Sequence, residues 1–99
     1  VIGIHTISNE VPETFYLYQN YPNPFNPTTN IRFDISKAGN VKLAVYDIAG
    51  RQVSELINGN YNAGKYTFDF NAQNLATGVY FYRLETPEYT AIKKMMLVK

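Results

Sequence analysis

The sequence predicts an all-β protein in which two antiparallel sheets pack face to face, with about seven strands in all. Three observations carry this. Apolar residues recur at every second position in one segment after another, as half-buried strands require. Turn formers punctuate the chain roughly every 8–12 residues, the spacing of a sandwich. No stretch repeats its apolar residues at the helical period. The aromatic content agrees, because nine Tyr and six Phe with no Trp suit the pleated surface of a sheet.

Val1 to Glu13 has weak periodicity and ends in Ser8-Asn-Glu-Val-Pro-Glu13. It reads as a linker or tail from an upstream domain, with a short extended piece at Gly3 to Ile7; residues 14–99 form the folded unit. The chain opens on Val1 rather than methionine, as expected of a piece of a longer protein. From Thr14 the period-two pattern begins. Phe15 and Leu17 alternate with Tyr16 and Tyr18, and Ile31, Phe33 and Ile35 with Asn30, Arg32 and Asp34. After a turn at Ser36 to Asn40, Val41, Leu43 and Val45 alternate with Lys42, Ala44 and Tyr46.

Asp47-Ile-Ala-Gly50 is the clearest hairpin connection: a type I turn closed by glycine in the left-handed region. Asp47 can bond back into the turn, and Arg51, which starts the return strand, pairs with it. Val53, Leu56 and Ile57 are irregularly spaced, which predicts a bulge or an early strand end. Asn58 to Gly64 reads as a loop. Tyr66, Phe68 and Phe70 mark the next strand, and Asn71 to Thr77 an irregular connection anchored by Leu75. Gly78-Val-Tyr-Phe-Tyr-Arg-Leu84 follows, then a turn around Pro87 and a last strand from Tyr89 to Val98. Gly78-x-Tyr80-x-Tyr82 parallels the sixth strand of immunoglobulin-like domains, where a tyrosine near the strand start bonds back to the preceding corner. The fold class is therefore an immunoglobulin-like antiparallel β-sandwich. Tyr80, Tyr82 and Leu84 face inward, and the hydroxyl of Tyr80 is expected to reach backbone between Asn71 and Ala76.

One stretch is too particular for a generic loop. Asn20-Tyr-Pro-Asn-Pro-Phe-Asn-Pro-Thr-Thr29 holds three of the five prolines, at Pro22, Pro24 and Pro27. Each fixes its own φ, removes a donor and biases the residue before it towards extended geometry. Asn23 and Asn26 can close local turns, and Phe25 is placed to plug the run onto the core. At the other end, Lys93 and Lys94 are adjacent on a strand, so their side chains point to opposite faces. Either one snorkels or the strand lies at a sheet edge, where lysine discourages pairing with other chains.

Composition excludes much chemistry. No cysteine means neither a disulfide framework nor a thiolate metal site. His5 is the only histidine, and no second ligand or nucleophile is placed beside it; Ser54 and Thr77 lack a general base of the usual kind. Asp34, Asp47 and Asp69 lack calcium-loop spacing. A net charge of +1 gives no general attraction to nucleic acid. No apolar run approaches the roughly 20 residues of a membrane helix. Catalytic residues, cofactors and metals are not expected. Tyr16, Tyr18, Tyr46 and Phe81 could instead form a platform for stacking sugars, or simply cover sheet surface with one wet tip each.

Four motifs, in order, are shared with one family: Asn20-Tyr-Pro-Asn-Pro-Phe-Asn-Pro27, Val45-Tyr-Asp-Ile-Ala-Gly-Arg-Gln-Val53, Leu75-Ala-Thr-Gly-Val-Tyr-Phe-Tyr-Arg-Leu84 and Lys93-Lys-Met-Met-Leu-Val-Lys99. On these, residues 11–99 resemble the type A C-terminal sorting domain of the type IX secretion system. The resemblance implies a non-catalytic sandwich that marks a preceding cargo domain for export through the periplasm and outer membrane. It implies recognition by the translocon and its shuttle components, then removal by a cell-surface sortase in or before the linker ending near Glu13. The cargo is then secreted or held at the cell surface. Pro22, Asn23, Pro24, Phe25, Asn26, Pro27, Lys93, Lys94 and Lys99 would be the residues read. Asp47, Gly50, Arg51, Gly78 and Tyr80 would be structural, in a chain expected to be a monomer. Two alternatives stand beside it. Hook-capping immunoglobulin-like domains share the Tyr-Asp-x-x-Gly-Arg hairpin, but this chain has Phe68-Asp-Phe-Asn71 where they carry a Trp-Asp-Gly pattern. The other is a carbohydrate-binding or adhesion module.

Overall fold

In the computed structural model, which describes residues 3–99, eight strands form two four-stranded antiparallel sheets, and the described residues contain no helix. Ile4–Ser8 (β1), Gly64–Asn71 (β6), Thr28–Ile35 (β3) and Tyr16–Leu17 (β2) lie side by side in that order. Gln52–Tyr61 (β5), Gly39–Tyr46 (β4), Gly78–Glu85 (β7) and Thr90–Leu97 (β8) form the second sheet. The chain changes sheet between β3 and β4, between β5 and β6 and between β6 and β7. Packing the two sheets on one another is what buries the apolar half of each alternating strand.

The expected core is present. Ile31, Phe33, Val41, Leu43, Val45, Phe68, Tyr80, Tyr82 and Leu84 are all buried between the sheets, joined by Phe25, Met95 and Leu97. Arg83 lies over the ring of Tyr46, donates to its hydroxyl at 2.7 Å and pairs with Glu85. Ala44, on the outer side of the sheet opposite Arg83, is buried as well.

The hairpin at Asp47 to Arg51 has the expected geometry. Gly50 N–H donates to the Asp47 carbonyl at 2.9 Å with Gly50 at φ 85°, a value that disfavours a Cβ. Asp47 Oδ1 accepts from the backbone N–H of Ala49 and Arg51, and its Oδ2 accepts from Arg51 Nε at 3.0 Å. These bonds, the one from Arg51 N–H first, hold the Asp47 carboxyl below its ordinary pKa.

Three expectations need adjustment. The strand count is eight because residues 4–8, read as the extended piece of a linker, add to the edge of β6; Val1 and Ile2 of that linker lie outside the described residues. Asn58 to Gly64 is not one loop. β5 continues to Tyr61 and β6 starts at Gly64, so only Asn62 and Ala63 turn the chain. Turn-forming residue types were outweighed there by pairing of Asn58 to Tyr61 with β4. Of the irregular trio, only Ile57 is fully buried; register shifts opposite Leu43/Ala44 and Val45/Tyr46 mark bulges, and Val53 is left 37% exposed.

The Tyr80 hydroxyl donates to the Ala76 carbonyl at 2.7 Å, closing the corner ahead of β7. Tyr80→Phe is expected to lower stability by about 0.5–1.5 kcal/mol, the worth of one hydrogen bond. An unchanged denaturant midpoint would count against the corner contact.

Candidate functional site

The proline run connects β2 to β3; Tyr21 still bridges to Asn30 of β3, and beyond it the run leaves their sheet. It reaches across the open side of the sandwich to β8, the edge strand of the second sheet. Phe25 N–H donates to the Met96 carbonyl at 3.0 Å, and Val98 N–H donates to the Phe25 carbonyl at 2.9 Å. Met96 N–H donates to Asn23 Oδ1 at 2.9 Å, and Gln19 Nε2 donates to the Lys94 carbonyl at 2.7 Å. The outward backbone groups along the C-terminal half of β8 are thereby satisfied by a segment that proline prevents from becoming a full strand. Phe25 is 2% exposed, with its ring 6.2 Å from that of Phe70. The Tyr21–Pro22, Asn23–Pro24 and Asn26–Pro27 bonds are cis.

A buried polar knot fixes the start of the run. The Tyr82 hydroxyl, on β7, accepts from Asn20 N–H and donates to the Tyr18 carbonyl, both at 2.7 Å. Asn20 Nδ2 donates to Thr29 Oγ1 at 2.9 Å and to the Pro22 carbonyl at 3.2 Å, and Thr29 Oγ1 donates to the same carbonyl at 2.8 Å. Asn20 and Thr29 are 2% and 4% exposed, so each unpaired group would carry a desolvation cost. None of these three residues stood out as functional in the sequence. The available signal was tyrosine rather than phenylalanine at an inward position, because a buried hydroxyl needs a partner.

The other motifs gather at the same end of the sandwich. Gly78 pairs with Leu97, which in turn bridges to Phe25. The Pro27 carbonyl accepts from Ala72 N–H at 2.8 Å. Lys99 Nζ donates to the Gln73 carbonyl at 2.6 Å, and its backbone N–H to Thr77 Oγ1 at 3.1 Å. β4 runs antiparallel to β7 with Tyr46 opposite Phe81, so the Asp47–Arg51 hairpin also points towards this end. Lys93 is half-buried on the inner side of β8, and Lys94 is exposed on the outer side, without a carboxylate partner among the described residues. Pro22, Asn23, Pro24 and Asn26 are exposed around the buried Phe25. A shallow depression of about 170 Å³ beside them is lined by Asn23, Pro24, Val79, Lys94, Met95 and Met96.

The four surface aromatics do not come together. Tyr16 and Tyr18 lie on the outer side of the first sheet, where Tyr18 donates to Asp34 Oδ2 at 2.7 Å beneath the Arg32 guanidinium. Tyr46 and Phe81 face outward from the second sheet, on the opposite side of the molecule. His5 meets Asp69 at 3.2 Å, and no group of three metal-ligating side chains occurs among the described residues.

Burial pushes the Tyr82 hydroxyl up to about 12 from its ordinary 10.0, against the lowering effect of the Asn20 N–H. A folded-state value above the unfolded one stabilises the fold fully below about pH 10, and that contribution is lost as pH rises towards 12. Stability is therefore expected to fall steeply through this alkaline window. Tyr82→Phe should flatten the fall while costing about 1–3 kcal/mol at neutral pH for each backbone group left unpaired, as urea unfolding across pH would read.

Residues 19–99 match the family described as the secretion system C-terminal sorting domain. No curated protein matches the chain.

Proposed function

Because the chain belongs to the secretion system C-terminal sorting domain family, the export signal of type IX secretion, we propose that one end of its sandwich is the surface the export machinery reads. Proteins marked by this domain are exported to the cell surface or released through the outer membrane. On this reading the domain is a passive address without catalysis of its own. The translocon and its shuttle components bind the folded unit of residues 14–99, and a cell-surface sortase severs it from the cargo within the preceding linker.

The observation that supports this reading is convergence. The proline run, the Asp47–Arg51 hairpin, the corner before Gly78 and the basic tail are far apart in sequence, yet the pairing described above brings them to one end. Exposed Pro22, Asn23, Pro24 and Asn26 supply a rigid relief, and Lys94 beside them supplies an uncompensated charge. Rigid, pre-positioned side chains lose little entropy on binding. The separation of the Tyr16/Tyr18 and Tyr46/Phe81 pairs onto opposite sides gives a sugar-stacking platform no comparable support.

The reading is tested by fusing residues 1–99 to a periplasmic reporter in a host with type IX secretion. The parent fusion should reach the surface, and a reporter left in the periplasm would sink it. Lys94→Ala together with Lys99→Ala should cost no more than about 1.5 kcal/mol, the worth of the one exposed bond from Lys99 to the Gln73 carbonyl, yet reduce surface delivery. Delivery equal to the parent would remove the lysines from the recognised surface and leave the Pro22 to Pro27 run.

A further inference from the structure

The sheet that contains β6 is incomplete in the portion of the chain matched to the family. Within residues 19–99, β6 pairs with β3 on one side only. Its other edge is filled by β1, which comes from upstream of the match. We propose that the outer edge of β6 is a strand-acceptor site whose occupant is the cargo-proximal segment Gly3–Ser8, and that the site empties when the chain is severed between Asn9 and Glu13. This rests on the sorting reading for the cut itself, but the acceptor site stands on geometry.

The site is shaped for a strand. Ile4, His5 and Thr6 face Phe68, Thr67 and Tyr66, with a register shift before Ser8. At one end Gly3 carries φ 102° and is buried against the Phe68 ring; a Cβ there would sit 2.9 Å from Cζ. Its carbonyl accepts from Asp69 N–H at 2.6 Å. At the other end a Cβ on Gly64 would meet the Ser8 carbonyl at 3.1 Å. Two polar contacts clasp the strand, His5 Nε2 to Asp69 Oδ2 at 3.2 Å and the ion pair of Glu10 with Lys65 at 3.4 Å.

The same contact is weak. His5, Thr6 and Ile7 are exposed, Ile4 is only partly buried, and His5, Asp69 and Glu10 are largely solvated. Such a strand is held by its tether. β1 and β2 occupy opposite edges of the sheet, three inter-strand spacings or roughly 14 Å apart. Residues 9–15, able to reach roughly 23 Å when extended, span this with slack. A short tether supplies an effective concentration of about millimolar, which cutting abolishes. At roughly 10 µM protein, a strand with a dissociation constant of about 100 µM is about 90% bound while tethered and about 10% bound once cut. Severing the tether therefore breaks the covalent link and also lets the cargo-side strand leave. Docking also sets where the upstream chain departs. With β1 in place it leaves from Gly3, level with Asp69 and the proline-run end; with β1 detached it leaves from Glu13, at the opposite end beside Ser36 and Glu88.

The experiment uses residues 1–99 with a site for a specific protease replacing residues 11–13, which keeps Glu10 and its pair with Lys65, so no sortase is involved. Before cutting, the β6 amides that face β1, that of Asp69 among them, should be protected from hydrogen exchange. After cutting they should exchange at least about tenfold faster, and the released peptide should separate on gel filtration. The β3-facing amides should stay protected, which shows the sandwich intact. A synthetic peptide of residues 1–10 added at millimolar concentration should restore protection saturably, and the same peptide carrying Gly3→Val should not. A peptide that stays bound through gel filtration at micromolar concentration overturns the release. Asp69 exchange unaffected by both cutting and added peptide overturns the acceptor site. Failure of the reporter fusion to be exported, with these results intact, would fault the sorting reading alone.

Discussion

One buried hydroxyl, that of Tyr82, holds the two sheets to the segment that makes this sandwich distinctive. It sits on β7 of the second sheet and bonds the backbone on both sides of Gln19, in the chain leaving β2 of the first. Without it, Asn20 N–H and the Tyr18 carbonyl would face the core unpaired. With it, the chain leaves β2 in one direction only. Asn20 and Thr29 then fix the next turn through the Pro22 carbonyl, and Phe25 arrives at the gap beside β8 already oriented. The polar knot is thus what places the apolar plug.

Covering the β8 edge has a further consequence. A sheet edge with free backbone groups invites pairing with other chains. Here the cover is a segment with three prolines, which satisfies Met96 and Val98 but cannot itself extend the sheet. Four exposed residues of the cover then stand beside the exposed Lys94, so edge protection and the proposed recognition surface are built from one segment. The opposite solution holds at β6, whose edge is protected by a strand borrowed from upstream through contacts that are mostly solvated. One edge is closed by the domain's own matched residues, the other by a removable piece.

Much of this was legible in the residues. Period-two alternation identified the buried faces of β3, β4, β6 and β7 but not of the bulged β5, because side chains on a regular pleated strand cannot choose their side once one face is apolar. Asp47 and Gly50 specified their own hairpin, since a carboxylate that caps the turn and a left-handed glycine leave few other conformations. Tyr80 found its corner carbonyl for a similarly local reason, four residues away. By contrast, Asn58 to Tyr61 carry turn-forming side chains, yet their backbone is paired to β4. Local preference is worth less there than a continued ladder.

The sequence by itself determined the all-β class, the inward residues, the hairpin and the rigidity of the Pro22 to Pro27 run, all of which follow from interactions within a few residues or from a strand's own periodicity. Only the tertiary structure decided where that run goes, that Tyr82 rather than a loop residue anchors it, that Tyr16 and Tyr46 lie on opposite sides, and that residues 4–8 dock on β6. These depend on which strands become neighbours across two sheets. That choice is made by the joint burial of both apolar faces, a property no single segment of the chain carries.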